Sequence, residues 1–221
     1  MAIILFENDS YLAVDKPEGI SCIPERNREA PSLVKSLERE RGTRLFVVHR
    51  LDKEASGVLV FAKTADAHHV LNDLFAERKV SKNYLLLAHG TIEEDSGIIE
   101  VPLREFGSGR MGVDREQGKA SLTEFRVVSR LELASLVEAR PRTGRRHQLR
   151  VHFYTRGNAI VGDLRYGDRL LQNRFERLML HATHVTFQVP GGSLIRIESP
   201  VPASFQHVVD TWGSRRISPG A

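Results

Sequence analysis

The chain of 221 residues has a single cysteine, Cys22. An internal disulfide and a thiolate cage for zinc both need several cysteines, so neither is available. Cys22 itself reads as a small buried hydrophobe. No apolar run approaches the length needed to cross a bilayer, and the N-terminus MAIILFENDS reaches an acid after a few apolar residues without a basic leader. The expectation is a soluble cytoplasmic protein with no membrane partner. Nucleotide loops are missing too. GSGRMG at 107–112 has neither the preceding strand nor the following helix of a dinucleotide site, and no Walker sequence occurs.

Nine histidines invite a metal reading, but their spacing opposes it. His147 and His152 are misaligned on a helix, and His181 and His184 fall on opposite faces of a strand. No metal and no cofactor are expected. Acids are absent from Ala139 to Gly162, a window that holds Arg140, Arg142, Arg145, Arg146, Arg150 and Arg156. Such a block repels itself unless an anion or a buried carboxylate neutralises it. A solvated loop is the plain reading. Arginine forks suit phosphates and carboxylates, and the net charge of +4 with a pI near 9.4 admits a polyanion partner.

What is present is enough for an ordinary core, with 41% hydrophobic and 27% charged residues. IILF (3–6) and YLAV (11–14), separated by Asn8 and Asp9, predict a β-hairpin. A short helix is predicted over Ser32 to Arg41, with Ser32 as N-cap and Leu33, Val34 and Leu37 on one face. Ala67, Val70, Leu71, Leu74 and Phe75 repeat at helical spacing behind a capping Thr64. Strands are expected at LFVV, VLVFA, NYLLLAHG, GIIEV, SLTEFRVV, LASLVEA, LMLHATHVTFQV and LIRIE, with a helix through RRHQLRVHFYTRG ending at Gly157 and another after Pro202. Gly107 to Gly118 reads as a mobile surface excursion, and 214–221 as a flexible C-terminal tail. Many strands with few helices, and no regular alternation of the two, predict an α+β fold over one domain, 1–213.

Between two apolar runs lies HRLDKEASGVLVFAKT (49–64), which sets Arg50 and Asp52 on either side of Leu51. A local cap or surface pair is the plain reading, worth about 1 kcal/mol or less. In an extended segment the two side chains share a face yet stand about 7 Å apart, so each can have its own task.

HRLDKEASG resembles the HRLDxxTSG signature of the RluA class of pseudouridine synthases. RTGRRHQLRVH (142–152) resembles that family's RTGRxHQIRVH, GDLRYG (162–167) its GDxxYG, and KNYLLLAHG its KxYxAxxxG strand, while LHA (180–182) matches its late strand. The matches run in family order from VDKP (14–17) to SPVPASF (199–205).

The resemblance implies the pseudouridine synthase fold: a bent, mixed, mostly antiparallel sheet flanked by helices and loops, with a catalytic cleft across it. It also implies isomerisation of uridine to pseudouridine in a tRNA or rRNA stem-loop, without cofactor or metal; separately, a monomer is expected. Asp52 would be the nucleophile or charge stabiliser, Tyr84 the active-site tyrosine, and Arg150 the arginine paired with Asp52. Arg50 would enter the space left by the flipped nucleotide. His49, Arg142, Arg145, Arg146, His147 and Gln148 complete the expected RNA contacts. Ala55 departs from the family's usual Thr. With the first catalytic strand so near the N-terminus, no S4-like RNA-binding domain is expected. An RNA-binding or RNA-folding chaperone using the same basic surface without turnover is the alternative, followed by a metal-free enzyme acting on free nucleosides.

Overall fold

The computed structural model describes residues 2–25, 31–107 and 109–213. The expected tail therefore lies outside the described residues, as does Ser108. Chain order is β1 (Ile3–Glu7), β2 (Tyr11–Lys16), α1 (Leu33–Arg41), β3 (Phe46–Val47), β4 (Ser56–Ala62) and α2 (Ala65–Ala76). β5 (Ser81–His89), β6 (Ser96–Glu100), β7 (Leu103–Glu105), β8 (Met111–Val113), β9 (Leu122–Arg130) and β10 (Ala134–Pro141) follow. The chain closes with α3 (Gln148–Thr155), α4 (Arg169–Gln172), β11 (Leu180–Gln188), β12 (Leu194–Glu198) and α5 (Ala203–Gly213). The α+β class is borne out. No helix among the described residues is long and apolar enough to cross a membrane.

Two compact units divide the chain: Met1–Lys82 with Ala182–Pro200, and Asn83–His181 with Val201–Ala221. In the first, the strands run in the order β1, β2, β4, β11, with β3 also on β4 and β12 on β11, and the β1–β2, β2–β4, β3–β4 and β11–β12 pairs are antiparallel. Every residue of β4 is buried, so both faces of this strand are covered, which fits its unbroken apolar run. Val58, Val60 and Ala62 point to one side, where Ala67, Leu71 and Leu74 of α2 join them in the core. Thr64 caps α2 by accepting the Ala67 N–H at 3.2 Å.

The second unit orders its strands β5, β10, β9, β6. Leu86, Leu87, Val137 and Ala139 are fully buried there, and Phe125 meets Phe153 of α3 edge to face at 6.0 Å. Helix α3 ends as its sequence predicts, with Gly157 at φ +82° and the Asn158 N–H returning to Phe153 O at 3.0 Å. Gly107 to Gly118 departs from expectation. It contains β8, which pairs with the preceding β7 in a short antiparallel ribbon, and Asp114 closes the following turn by accepting the Glu116 and Gln117 N–H groups.

Candidate active site

Asp52 sits in the loop between β3 and β4, where Leu51 is buried, Asp52 half-buried and Arg50 exposed. The apolar residue between them explains the pattern. Leu51 is pinned to Cys22, whose Sγ accepts the Leu51 N–H and donates to Leu51 O, each at 3.3 Å. The Asp52 carbonyl accepts the Ala55 N–H at 3.1 Å, which tightens the turn. Ala55 is itself buried, so its methyl fills core space at the position where the family signature has Thr.

Lys16 holds this loop from below. Its side chain is fully buried, and Nζ donates to Pro17 O at 2.8 Å, Ile20 O at 2.9 Å and Lys53 O at 3.1 Å. All three ammonium donors are used. The residue after Asp52 is thereby tied to the turn after β2, and Gly19 N–H adds a second tie to Lys53 O at 2.8 Å. Burial lowers the Lys16 pKa to about 8, against the opposing pull of Cys22, Asp52, Glu18 and Glu54. Lys16 therefore remains largely charged at neutral pH beside the Asp52 loop. On the exit side, Gly57 has φ +112°, and a Cβ there would stand 2.2 Å from Ala182 O. Only glycine permits so close a backbone approach.

His49 serves the fold. Its Nε2 accepts the Val60 N–H at 3.0 Å, and its ring stacks on Phe75 with centroids 5.0 Å apart. Burial, helped by the charge of Lys82, lowers its pKa to about 3, so the ring is neutral.

Tyr84 and Arg150 belong to the second unit. Tyr84, half-buried on β5, lies opposite Ala139 of β10, two residues before that strand ends and runs into the arginine-rich loop. Arg150, on the first turn of α3, is 2% exposed. Its Nε and Nη2 donate to Asp163 Oδ2 and Oδ1 at 2.9 and 2.8 Å, a bidentate pair in the interior. Asp163 Oδ1 also accepts the Arg165 and Tyr166 N–H groups. Asp163, which the sequence offers only as part of GDLRYG, thus anchors the arginine.

Gln148 is bonded within the second unit. Its Oε1 accepts from Thr143 Oγ1 at 2.7 Å and Arg145 N–H at 3.0 Å, while Nε2 donates to Leu122 O and Thr123 Oγ1, both at 3.0 Å. Two acceptor and two donor sites exhaust an amide. The side chain knots the 143–147 loop onto β9. His147 adopts the left-handed conformation at φ 51° and places Nδ1 2.7 Å from the Tyr166 hydroxyl. Non-glycine residues in this region are uncommon and gather at functional sites.

The arginine block is largely neutralised from elsewhere. Arg142 makes a bidentate pair with Glu124, Arg146 pairs with Glu105, Arg156 with Glu94, and Arg145 Nε donates to Ala120 O. These carboxylates come from β9, β7 and the turn before β6, so the acid-free window is a property of the sequence and not of the surface. Among the described residues, no group of three or more His, Cys, Asp or Glu is placed to hold a metal ion.

Three comparisons bear on this arrangement. Residues 10–155 match the family model described as RNA pseudouridylate synthase. The chain is 36% identical over 226 residues to ribosomal large subunit pseudouridine synthase C of Pasteurella multocida, covering 97% of this chain and 69% of that protein. It is 38% identical over 200 residues to the dual-specificity RNA pseudouridine synthase RluA of Vibrio vulnificus, covering 87% and 80%. Among solved structures, human RNA pseudouridylate synthase domain containing 1 superposes with a TM-score of 0.78 at 31% identity, over 91% of this chain and 84% of that one.

Proposed function

Because the chain belongs to the RNA pseudouridylate synthase family, we propose that it isomerises a uridine to pseudouridine in a structured rRNA or tRNA stem-loop, with Asp52 as the reacting carboxylate. The observation that carries this reading is the Asp52 loop. Leu51, Lys53 and Ala55 around the acid are each bonded to the unit that holds them, while the carboxylate stands at the half-buried edge beside a buried ammonium.

The chemistry follows from what the reaction needs. The N1–C1′ glycosidic bond breaks, the uracil rotates, a C5–C1′ bond forms, the C5 proton is lost and N1 takes up a proton. A carboxylate can trap or stabilise the electron-poor sugar carbon. No redox step or phosphate activation enters. Tyr84 stacks on the uracil and assists the C5 proton's departure. Arg150, held rigid by Asp163, supplies a cation that stays protonated and keeps the reacting acid ionised. Arg50, exposed beside Asp52, fills the place of the extruded nucleotide. That extrusion costs a few kcal/mol, less in a loop than in a paired stem. We place the enzyme in the cytoplasm as a monomer.

RNA tritiated at C5 of uridine is the test. Wild-type protein releases label, and Asp52→Ala releases none while still binding the RNA. Binding by wild type with no release would favour the chaperone reading. Release that survives in Asp52→Ala would remove Asp52 from the chemistry.

A further inference from the structure

The β7–β8 ribbon and helix α3, both in the second unit, enclose a cavity of about 330 Å3 whose lining includes Phe106, Arg110, Met111, Val151, Tyr154 and Tyr166. That is near the lower end of the roughly 300–1,000 Å3 typical of small-ligand clefts. Tyr166 is its buried floor, fixed by the Met111 N–H donated to its hydroxyl at 3.1 Å and by His147. Phe106 and Tyr154 are each 45% exposed, so two aromatic side chains stand partly in water around an apolar hollow. Gly112 seats the first of them, for a Cβ there would lie 2.9 Å from Cε2 of Phe106.

Arg104 is paired with Asp114, Arg146 with Glu105 and Arg156 with Glu94, whereas Arg110 has no carboxylate partner among the described residues. Its guanidinium stands 5.7 Å from the Tyr154 ring centroid and 5.1 Å from that of Tyr166. Layered guanidinium and aromatic surfaces offer stacking to any planar π system, and the open cation suits an attached phosphate. A bare phosphate would gain nothing from the apolar walls. An apolar peptide would leave the guanidinium unanswered.

We propose that this cavity is a second base subsite, taking an unpaired nucleobase of the substrate RNA other than the reacting uridine, stacked on Tyr154 with Arg110 over the base or its phosphate. The inference rests on the family's RNA reading and adds a contact that steers which loops are accepted. Single-stranded RNA is commonly held this way, by splayed bases on aromatic rings and arginine planes.

The probe is a short unstructured oligoribonucleotide without uridine, carrying one 2-aminopurine, mixed with the full chain. Wild type quenches the 2-aminopurine, and Tyr154→Ala and Arg110→Ala each lose the quenching with a Kd about tenfold weaker, within the range of one base stack. Tyr154→Phe keeps both, which separates ring stacking from a loss of fold. An abasic probe binds wild type and Tyr154→Ala alike. Unchanged quenching and Kd in both alanine variants would overturn the subsite, as would tight binding of the abasic probe to wild type. Tritium release from uridine RNA, measured separately, reports on catalysis, so its failure leaves the stacking result standing.

Discussion

Around Asp52 the buried charge is a lysine bonded only to main-chain carbonyls, and around Arg150 it is an aspartate bonded to the arginine's own side chain. The first arrangement fixes a backbone and leaves the carboxylate that the loop presents at a half-buried edge. The second fixes a side chain by giving it a buried counter-charge. A reacting acid needs a rigid seat, whereas a supporting cation needs to be held in one rotamer. The two designs fail differently when cut.

The largest effect belongs to the second design. Asp163→Ala leaves the Arg150 guanidinium, 2% exposed, without its bidentate carboxylate. Breaking a buried pair from one side costs about 3–5 kcal/mol, which urea unfolding will read directly. A loss below about 1 kcal/mol would mean that Asp163 is not the anchor.

Lys16→Met should cost less, about 2 kcal/mol. Three carbonyls lose a charged donor, but the penalty of burying the ammonium, visible in its pKa of about 8, disappears with it. Turnover should fall more than RNA affinity, because the Asp52 loop loosens while the RNA-facing surface is intact. Equal falls in both would contradict a positioning role.

Acid sensitivity gives a third comparison between the units. His49 in the first and His152 in the second are held neutral, at about 3 and about 4, chiefly by burial. The unfolded chain protonates both near pH 6.5, so their stabilisation is complete above that value and drains away as pH falls toward their folded values. Each contributes a slope of up to about 1.4 kcal/mol per pH unit. Between pH 6.5 and 5, unfolding free energy should drop more steeply for wild type than for His152→Gln or His49→Gln. Parallel slopes would show that the rings are not buried neutral.

The smallest effect is expected at the exposed Arg142–Glu124 pair. Glu124→Gln should change stability by under about 1 kcal/mol. It should also tighten RNA binding and steepen the salt slope by up to about one, by releasing a guanidinium to phosphate. Unchanged binding would place Arg142 outside the RNA surface.

Those pairs also show where sequence reading stops. Helices with clean periodicity, such as α2, and strands between turn residues could be placed because their signals are local. The Asp52 loop was legible because its motif is continuous. The partners of the arginine block were not, since Glu124, Glu105 and Glu94 are 18, 41 and 62 positions from the arginines they meet. The bonds of Gln148 to Leu122 and Thr123, 26 and 25 positions away, were equally out of reach. The short β8 strand carries too few residues for alternation to register, and its order depends on Tyr166, 55 positions from Met111.

Tritium release and urea unfolding, measured together on Asp52→Asn beside Asp163→Asn, probe the division of labour most directly. Asp52→Asn is expected to lose all release while retaining a cooperative unfolding transition, and Asp163→Asn to lower the unfolding midpoint. An Asp52→Asn protein that still releases label at the wild-type rate would contradict that division of labour.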